Sequence, residues 1–144
     1  MKISTKGRYG LRAIIDLALN SHGEHVSLVS IAERQDISKN YLEQVFSTLR
    51  KAGIVTSIKG AQGGYELAMD PASITVGEIL RALEGSLSLA DDSNDMEKNK
   101  IERCIQKNVW KRIDESVNHV IDNMTLEDLI NEYKKDSDVI MYYI

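Results

Sequence analysis

Residues 27–67 read SLVSIAERQDISKNYLEQVFSTLRKAGIVTSIKGAQGGYEL, and this stretch decides the fold. Ser27 stands before apolar residues at helical spacing, so it can cap a short helix that we expect to end near Gln35. Residues 36–38 then form a tight connection, at the end of which Ser38 caps a second helix. Two short helices joined by such a turn are the outline of a helix-turn-helix.

The second helix divides into an apolar face and a polar face. Apolar residues recur at i, i+3, i+4 and i+7 and should form its buried stripe: Leu42, Val45, Phe46 and Leu49. The opposite face carries residue types that can hydrogen-bond to base edges or phosphates: Lys39, Asn40, Glu43, Gln44 and Ser47. Arg50 and Lys51 add positive charge at the end of the helix, where the helix dipole favours it.

A β-hairpin is expected directly after this helix. Gly53 suits a left-handed helix end, and the apolar period then changes from about 3.6 to about 2. Residues 54–58 and 65–67 have the composition of strands. The glycines between them are turn residues: Gly60, Gly63 and Gly64. A helix-turn-helix followed by a hairpin is a winged helix. Lys59 and Gln62, near the tip of this wing, could touch a DNA backbone or minor groove.

Two other interpretations of this stretch compete with DNA binding. Helical pairs with a polar outer face also occur in proteins that never bind nucleic acid, and periodicity alone does not separate the two. The turn GAQGG, residues 60–64, could be taken for a phosphate-binding loop, but such a loop needs a strand-to-helix context and a Lys-Ser/Thr pair. Because this turn joins two strands, we reject that interpretation.

The composition is that of a soluble protein with one domain, or a small domain with an appendage. The chain has 144 residues, of which 42% are hydrophobic and 28% charged, and it is long enough to bury a core. It shows neither an apolar run of membrane-spanning length nor an apolar signal segment. Cys104 is the single cysteine, which excludes an intramolecular disulfide framework and agrees with a reducing compartment. We therefore expect a cytoplasmic protein.

The charge is distributed unequally along the chain. The net charge is −4, but residues 1–67 carry nine Lys/Arg and six Asp/Glu, whereas residues 68–144 carry nine and sixteen. Such asymmetry indicates a basic half that approaches phosphate and an acidic half that is kept away from it. Solvated surface alone could also produce it.

A first helix, from Ser4 or Thr5 to about Asn20, should pack beneath the helix-turn-helix because its apolar surface is broad. Three basic residues cluster at its N-terminal end: Lys2, Lys6 and Arg8. Positive charge is unfavourable at a helix start, so we interpret this cluster as a phosphate contact. The following loop contains His22 and His25, which we expect to be solvated.

Pro71, the only proline, marks the end of the basic part of the chain. Thr75 should then cap a short helix over residues 76–84. Residues 86–100 are acidic and polar without a clear period, which predicts a mobile loop, either an effector region or a plain linker. The chain is therefore divided into a DNA-binding domain, a short helix with a loop, and a dimerisation region with a C-terminal tail: residues 1–70, 71–100 and 101–144.

Residues 101–124 should form one helix, roughly 36 Å long, with an apolar side. The dimerisation residues on that side are Ile105, Val109, Ile113, Val117, Val120 and Ile121, with Ile101 and Met124 at the ends. The stripe is too long for one small domain to cover, and a two-fold copy of the same helix is the simplest partner. Trp110, beside the stripe, should pack against the first helix or the partner subunit.

A final helix should follow, because Thr125 with Asp128 resembles a capping box. The chain then ends in VIMYYI, residues 139–144. Such an apolar end either docks on the protein's own surface or offers a partner an apolar C-terminus with a free carboxylate.

Four segments together strongly resemble the Rrf2 family of bacterial winged-helix regulators: MKISTKGRYGLRA, AERQDISKNYLEQVFSTLRKAGIV, SIKGAQGGYEL and TVGEILRALEG. The resemblance covers nearly the whole chain and implies a homodimer, held by the long helix, that binds double-stranded DNA at a partly palindromic operator. Half-sites would lie about one helical turn, roughly 34–36 Å, apart. By the same resemblance residues 38–47 enter the major groove, with Tyr41, Glu43 and Gln44 matching the family's YLEQ. The wing residues that would reach the minor groove are Lys59, Gly60, Gln62 and Gly63.

Some members of this family hold an iron–sulfur cluster with three cysteines and a nearby histidine. On this chain the same spacing falls on Asp92, Lys98, Cys104 and Lys107, of which only Cys104 is a thiol. We therefore expect no cluster, no metal and no other cofactor. One alternative is cluster-free redox sensing by Cys104, although a lone cysteine is usually an ordinary thiol. A second alternative, which the missing ligands disfavour, is an iron–sulfur-sensing regulator of the same family.

The C-terminal residues Tyr142, Tyr143 and Ile144 are similar to the end of the cysteine-metabolism repressor of this family. That resemblance implies a complex with cysteine synthase, an enzyme that accepts C-terminal isoleucine peptides in its active site. The expected function is a dimeric repressor of sulfur or cysteine metabolism that is controlled through this partner. An enzyme is not expected, because no nucleophile and base pair, metal-ligand cluster or nucleotide motif stands out.

Overall fold

The computed structural model describes residues 1–90 and 99–143, and for residues 139–143 it describes the backbone only. The helices are α1 (Thr5–Asn20), α2 (Leu28–Gln35), α3 (Lys39–Lys51), α4 (Val76–Glu84), α5 (residues 100–122) and α6 (Leu126–Tyr143). Between α3 and α4 lie the antiparallel strands β1 (Val55–Ile58) and β2 (Gly64–Leu67), followed by a 3-10 turn at Pro71–Ser73. The prediction of a mainly α-helical fold with a small hairpin wing is confirmed.

The helix-turn-helix forms as its capping residues predict. The Ser27 hydroxyl accepts a hydrogen bond from the Ser30 amide at 3.2 Å, and the Ser38 hydroxyl accepts one from the Tyr41 amide at 3.1 Å. Asp36 ends α2 in the left-handed region, with φ of 54°. Each serine satisfies an amide that its helix leaves unpaired, so the turn places the start of α3 against α2.

The apolar side of α3 forms the centre of the core. Its four predicted stripe residues have no solvent exposure: Leu42, Val45, Phe46 and Leu49. The ring of Tyr65 in β2 lies 5.0 Å from the ring of Phe46, so the base of the hairpin packs directly on α3. β1 begins at Val55, one residue later than expected, because Ile54 bonds instead with Leu49 and Ala68 outside the ladder.

A carboxylate from α4 caps the first helix. Glu84 Oε1 accepts hydrogen bonds from the Ser4 amide at 2.9 Å, the Ser4 hydroxyl at 2.6 Å and the Gly7 amide at 3.0 Å. A β-carbon on Gly7 would lie 2.2 Å from the same oxygen, and one on Gly10 would lie 2.3 Å from Leu83. The two glycines therefore allow α1 and α4 to approach closely. The negative charge also offsets the basic residues at the start of α1.

The long helix α5 contains a π-helical segment that the apolar pattern did not lead us to expect. Lys100–Ile105 and Lys111–Asp122 are α-helical, and Gln106–Trp110 between them is π-helical. The helix ends at Asp122, two residues before the predicted end. Asp122 accepts a hydrogen bond from Arg81 of α4 at 2.6 Å, and this pair ties the end of α5 to the winged helix.

The segment after α4 is attached to α5 by one carboxylate. Asp114 accepts hydrogen bonds from the Ser88 hydroxyl at 2.7 Å, the Leu89 amide at 2.8 Å and the Ala90 amide at 3.0 Å. These bonds, the Leu89 amide first, lower the pKa of Asp114 below its ordinary value. Residues 86–90 lie outside the helices and strands, as predicted for a loop, and these bonds attach them to α5. The mobility of the loop stays a prediction, and residues 91–98 lie outside the described part.

The final helix belongs to the same core as the winged helix. The capping box is confirmed, since the Thr125 amide donates to Asp128 at 2.9 Å and the Asp128 amide to the Thr125 hydroxyl at 3.1 Å. Leu126 is fully buried and Ile130 is 8% exposed, both within the main core. The helix continues to Tyr143, so a separate tail after it, as predicted, is wrong for the backbone through that residue. In the described part of the chain, no helix combines the length and apolarity that crossing a bilayer requires.

Replacing Glu84 with Ala should lower the free energy of unfolding by about 0.5–2 kcal/mol, because the start of α1 loses its capping acceptor. Glu84→Gln keeps an acceptor oxygen but loses the charge, so we expect it to lie between the wild type and Glu84→Ala. Urea denaturation followed by circular dichroism would measure this order. Equal midpoints for all three proteins would contradict the proposed cap.

Candidate nucleic-acid interface

The polar face of α3 is uncovered in the described structure. Asn40, Glu43 and Gln44 are exposed, although the opposite side of the same helix is fully buried. Lys39 forms an ion pair with Glu43 at 3.8 Å, and both side chains are more than half exposed. Such an exposed ion pair contributes little stability, so Lys39 and Glu43 can each leave the pair and bind another partner.

Two of the predicted contact residues on α3 are only half exposed. Ser47 is one, and the other is Tyr41, whose ring meets the ring of Tyr9 edge-on at 6.0 Å. Burial raises the pKa of the Tyr41 hydroxyl, which keeps it protonated and able to donate a hydrogen bond. Arg12 lies 5.2 Å from the centre of the Tyr9 ring and donates to the Gln35 carbonyl at 2.6 Å. α1 therefore supports both the end of α2 and the start of α3.

A buried carboxylate joins α1 to α2. Asp16 is 3% exposed and accepts three hydrogen bonds from Arg34, at 2.7, 3.0 and 3.2 Å, and one from Gln35 at 2.9 Å. The hydrogen bond to Asp16 raises the pKa of Arg34 above its ordinary value. This bidentate pair fixes the orientation of α2, and with it the turn that places α3. The sequence analysis did not single out either residue.

A groove of about 500 Å³ separates the start of α2, the start of α3 and the wing. Lys39 and Lys59 both line it, so it brings a basic residue from the helix and one from the wing to one surface. Val29 and Ser57 also line it, and the sequence analysis did not single out either residue. The side chain of Val29 is 48% exposed. Its position outside the apolar stripe of α2, which contains Leu28, Ile31 and Ala32, was the sequence signal that it faces outward.

The predicted wing residues lie in the turn between β1 and β2. Lys59, Gly60 and Gln62 are exposed, and Gly63 is half exposed. The Gly63 amide closes the turn on the Gly60 carbonyl at 3.0 Å, and a φ of 122° at Gly60 requires glycine there. His25 is exposed, as expected, and its Nε2 also contacts the backbone carbonyl oxygen of Gln62.

The other basic candidates lie around the same domain. Arg8 is exposed and donates to the Ile3 carbonyl at 3.2 Å, and it lines a surface depression with Lys2 and Thr5. Lys6 is only half exposed. Arg50 is exposed in the last turn of α3, at the opposite end from Lys39.

The predicted dimerisation residues form a partly exposed stripe on α5. Val109, Ile113 and Val120 are exposed, whereas Ile105, Val117 and Ile121 are half buried. Trp110 is 37% exposed within the protomer. The side chains of Tyr142, Tyr143 and Ile144, predicted to bind a partner, lie outside the described part.

Comparisons with known proteins agree with this architecture. A model of the Rrf2 family, described as "Iron-dependent Transcriptional regulator", matches residues 3–132. Over 145 residues, and over the full length of both proteins, the chain is 48% identical to the HTH-type transcriptional regulator CymR of Bacillus subtilis. It is 40% identical to the HTH-type transcriptional regulator IscR of Klebsiella pneumoniae, over 91% of this chain and 80% of that protein. The solved structure of B. subtilis CymR, the global cysteine regulator, matches with a TM-score of 0.78 at 45% identity, over 92% of this chain and 98% of that one.

A winged helix-turn-helix with this exposed face, and with such relatives, defines a DNA-binding transcriptional regulator. The chain belongs to the Rrf2 family. The expectation that it is not an enzyme is confirmed, since these relatives are regulators.

The iron named in the family description does not fit the residues of this chain as an iron–sulfur cluster. Cys104 is exposed on α5, with Sγ 3.6 Å from the side-chain nitrogen of Asn108. The positions that match the remaining cluster ligands carry one Asp and two Lys: Asp92, Lys98 and Lys107. An ammonium group has no lone pair to give to iron while it is protonated, and a single thiolate does not hold such a cluster.

Proposed function

We propose that the protein is a homodimeric, sequence-specific repressor of sulfur or cysteine metabolism genes that works with cysteine synthase. The observation that carries the DNA-binding part is the uncovered polar face of α3 beside a groove that Lys39 and Lys59 share. The metabolic part rests on full-length identity of 48% to CymR, whose B. subtilis structure is described as the global cysteine regulator. A protein that binds genomic DNA in a bacterium works in the cytoplasm, in agreement with the composition.

In this proposal α3 lies in the major groove and reads bases through its exposed side chains. An amide such as Gln44 can pair with both the N6 and N7 positions of adenine, and a carboxylate such as Glu43 can accept from N4 of cytosine. Asn40 and Ser47 on the same face would add further polar contacts. Ser38 caps the start of α3, and the amides of the first turn that it leaves unpaired would bind a phosphate of the DNA backbone.

Phosphate contacts would hold this helix in register. Lys39 and Lys59 line one groove, and Lys6 and Arg8 stand at the start of α1. Arg50 lies near the other end of α3. Lys and Arg side chains at such positions contribute affinity without sequence preference, and the affinity then falls as salt rises. The wing turn, with Gln62 at its tip, would reach into the neighbouring minor groove.

Gln44→Ala and Lys59→Ala should weaken DNA binding in different ways. Gln44→Ala removes a base contact, so we expect a loss of about 1–3 kcal/mol on the operator and little change on random DNA. Lys59→Ala removes a phosphate contact, so binding should weaken on both DNAs and the slope of log K against log salt should fall by about 1. Fluorescence anisotropy with an operator selected from random DNA would measure both.

Lys135→Ala is the matched control, because it removes a positive charge from the acidic half, where Lys135 pairs with Glu132 on the surface. Its affinity should equal that of the wild type. Equal losses on operator and random DNA for Gln44→Ala would exclude base readout by this residue.

The dimer is proposed from the apolar stripe of α5. Ile101 is 73% exposed and Val120 is 54% exposed, so the stripe offers apolar surface along the whole helix. A second copy of α5 provides a stripe of the same length and chemistry, which a two-fold axis would place opposite the first. Such an axis also presents two copies of α3 to two half-sites, as a partly palindromic operator requires.

Ile113→Asp should break this dimer, because each interface then buries two unpaired carboxylates. We expect the dissociation constant of the dimer to rise on the order of 100-fold, with a parallel loss of operator binding. Lys111→Asp places the same carboxylate on the opposite side of the same helix, with an even larger change of charge, and should leave the dimer intact. Sedimentation velocity over a concentration series would measure both, and a dimeric Ile113→Asp protein would exclude this interface.

The partner would be captured through the C-terminus. By resemblance, Ile144 with its carboxylate would enter the active site of cysteine synthase, which is a recognised way for proteins to bind a chain end. Because the helix backbone continues to Tyr143, the last turn would have to unwind, or the enzyme would have to accept the end of a helix. Either route leaves the DNA-binding surface of α3 free.

Deletion of residues 142–144 should abolish binding to cysteine synthase and leave operator affinity unchanged. A peptide of residues 138–144 with a free carboxylate should compete for the enzyme, whereas the same peptide with a C-terminal amide should not. Calorimetry with purified cysteine synthase, with and without O-acetylserine, would measure both effects. Unchanged enzyme binding by the shortened protein would show that the C-terminus is not the contact.

Redox sensing by Cys104 stays the alternative prediction. The exposure of its thiol is compatible with oxidation, and Cys104→Ser removes the group. If the variant and the wild type show the same operator affinity with and without peroxide, Cys104 is not a switch.

A further inference from the structure

We propose that His25 is a positioning residue for DNA binding, which holds the turn of the wing (residues 59–63) against the body of the domain. The inference rests on the proposed function, since it concerns how the wing meets DNA. His25 itself would not touch DNA in this role. Its effect would pass through the placement of Lys59 on the DNA.

The segment before α2 pairs with strand β2 of the hairpin through one antiparallel bridge, between Val26 and Tyr65. The Val26 amide donates to the Tyr65 carbonyl at 2.8 Å, and the Tyr65 amide donates back to the Val26 carbonyl at 2.8 Å. A β-carbon on Gly64 would lie 2.3 Å from the Val26 carbonyl oxygen, so glycine is needed for this approach. The pairing places the preceding residue, His25, beside the wing turn.

From that position the imidazole Nε2 of His25 contacts the backbone carbonyl of Gln62. A carbonyl only accepts, so Nε2 carries the proton that the bond needs. Both the cationic imidazole and the neutral tautomer protonated at Nε2 supply it. The contact therefore needs a side-chain donor of this length at position 25, and it does not need a charge.

The wing turn has little else to hold it. Its internal hydrogen bond runs from the Gly63 amide to the Gly60 carbonyl, and both residues are glycines. The base of the hairpin is anchored through Tyr65 on Phe46, but that contact lies on the strand and not on the turn. Among the described residues outside the hairpin, His25 is the one that hydrogen-bonds to this turn. A two-stranded ribbon is marginally stable alone, so one bond at its tip changes how well the tip is ordered.

His25→Ala should weaken operator binding about twofold to tenfold, the range expected for one exposed hydrogen bond that orders the wing before binding. His25→Gln keeps an N–H donor at a similar reach and should restore most of the affinity. His22→Asn is the matched control, because His22 is an exposed histidine of the same loop with a φ of 40°, which Asn tolerates. Thermal unfolding of each variant, measured in parallel, should show melting temperatures close to that of the wild type.

A double-mutant cycle with Lys59→Ala tests the route of the effect. If His25 acts through the wing, His25→Ala costs little additional affinity in the Lys59→Ala background, and hydroxyl-radical protection of the flanking minor groove is lost in both single variants. An unchanged affinity for His25→Ala, or an equal loss with and without Lys59, would overturn the inference. A wild-type protein that selects no DNA sequence would overturn the proposed function itself, which separates the two failures.

Discussion

The burial of one side of α3 is the constraint on which the rest of the structure depends. Four large apolar side chains spaced along this helix are removed from water, and an amphipathic helix can bury only one side in this way. The opposite side must then face outward, with its amide, carboxylate and ammonium groups displayed. The same packing that forms the core therefore exposes the surface that we propose as the DNA-reading surface.

The remaining elements hold the helices in this arrangement through polar contacts between residues that are distant in the sequence. Glu84 caps α1 from α4, Asp16 joins α1 to α2, and Arg81 joins α4 to Asp122 at the end of α5. Each contact combines a carboxylate with donors that point at it, so it specifies an orientation as well as a distance. The helix α5, which we propose as the dimerisation helix, is therefore connected through α4 to α1, and through α1 to α2, by a series of directional bonds.

The sequence was informative wherever a local rule decided the outcome. Capping residues, helical periodicity and glycines predicted the helix-turn-helix, the hairpin and the capping box of α6. The contacts of Glu84, Asp16 and Asp114 could not be found in this way, since their partners lie far away in the chain and no periodicity marks them. The same is true of His25, which differs from its exposed neighbour His22 only through the fold.

The π-helical segment had a sequence signal that periodicity analysis overlooked. Six apolar residues follow one another at intervals of four: Ile101, Ile105, Val109, Ile113, Val117 and Ile121. In an ideal α-helix each such step advances about 40° around the axis, so the stripe would spiral away from a straight partner. A π segment takes more residues per turn and rotates the stripe back.

The position of Leu126 and Ile130 in the main core has a consequence for any attempt to isolate the DNA-binding half. A fragment that stops before α6 lacks Leu126 and Ile130. The core residues that pack against them would then be exposed to water. Residues of the acidic half therefore complete the hydrophobic core of the basic half. Minimal versions of this protein are better obtained by shortening its surface loops than by cutting the chain in two.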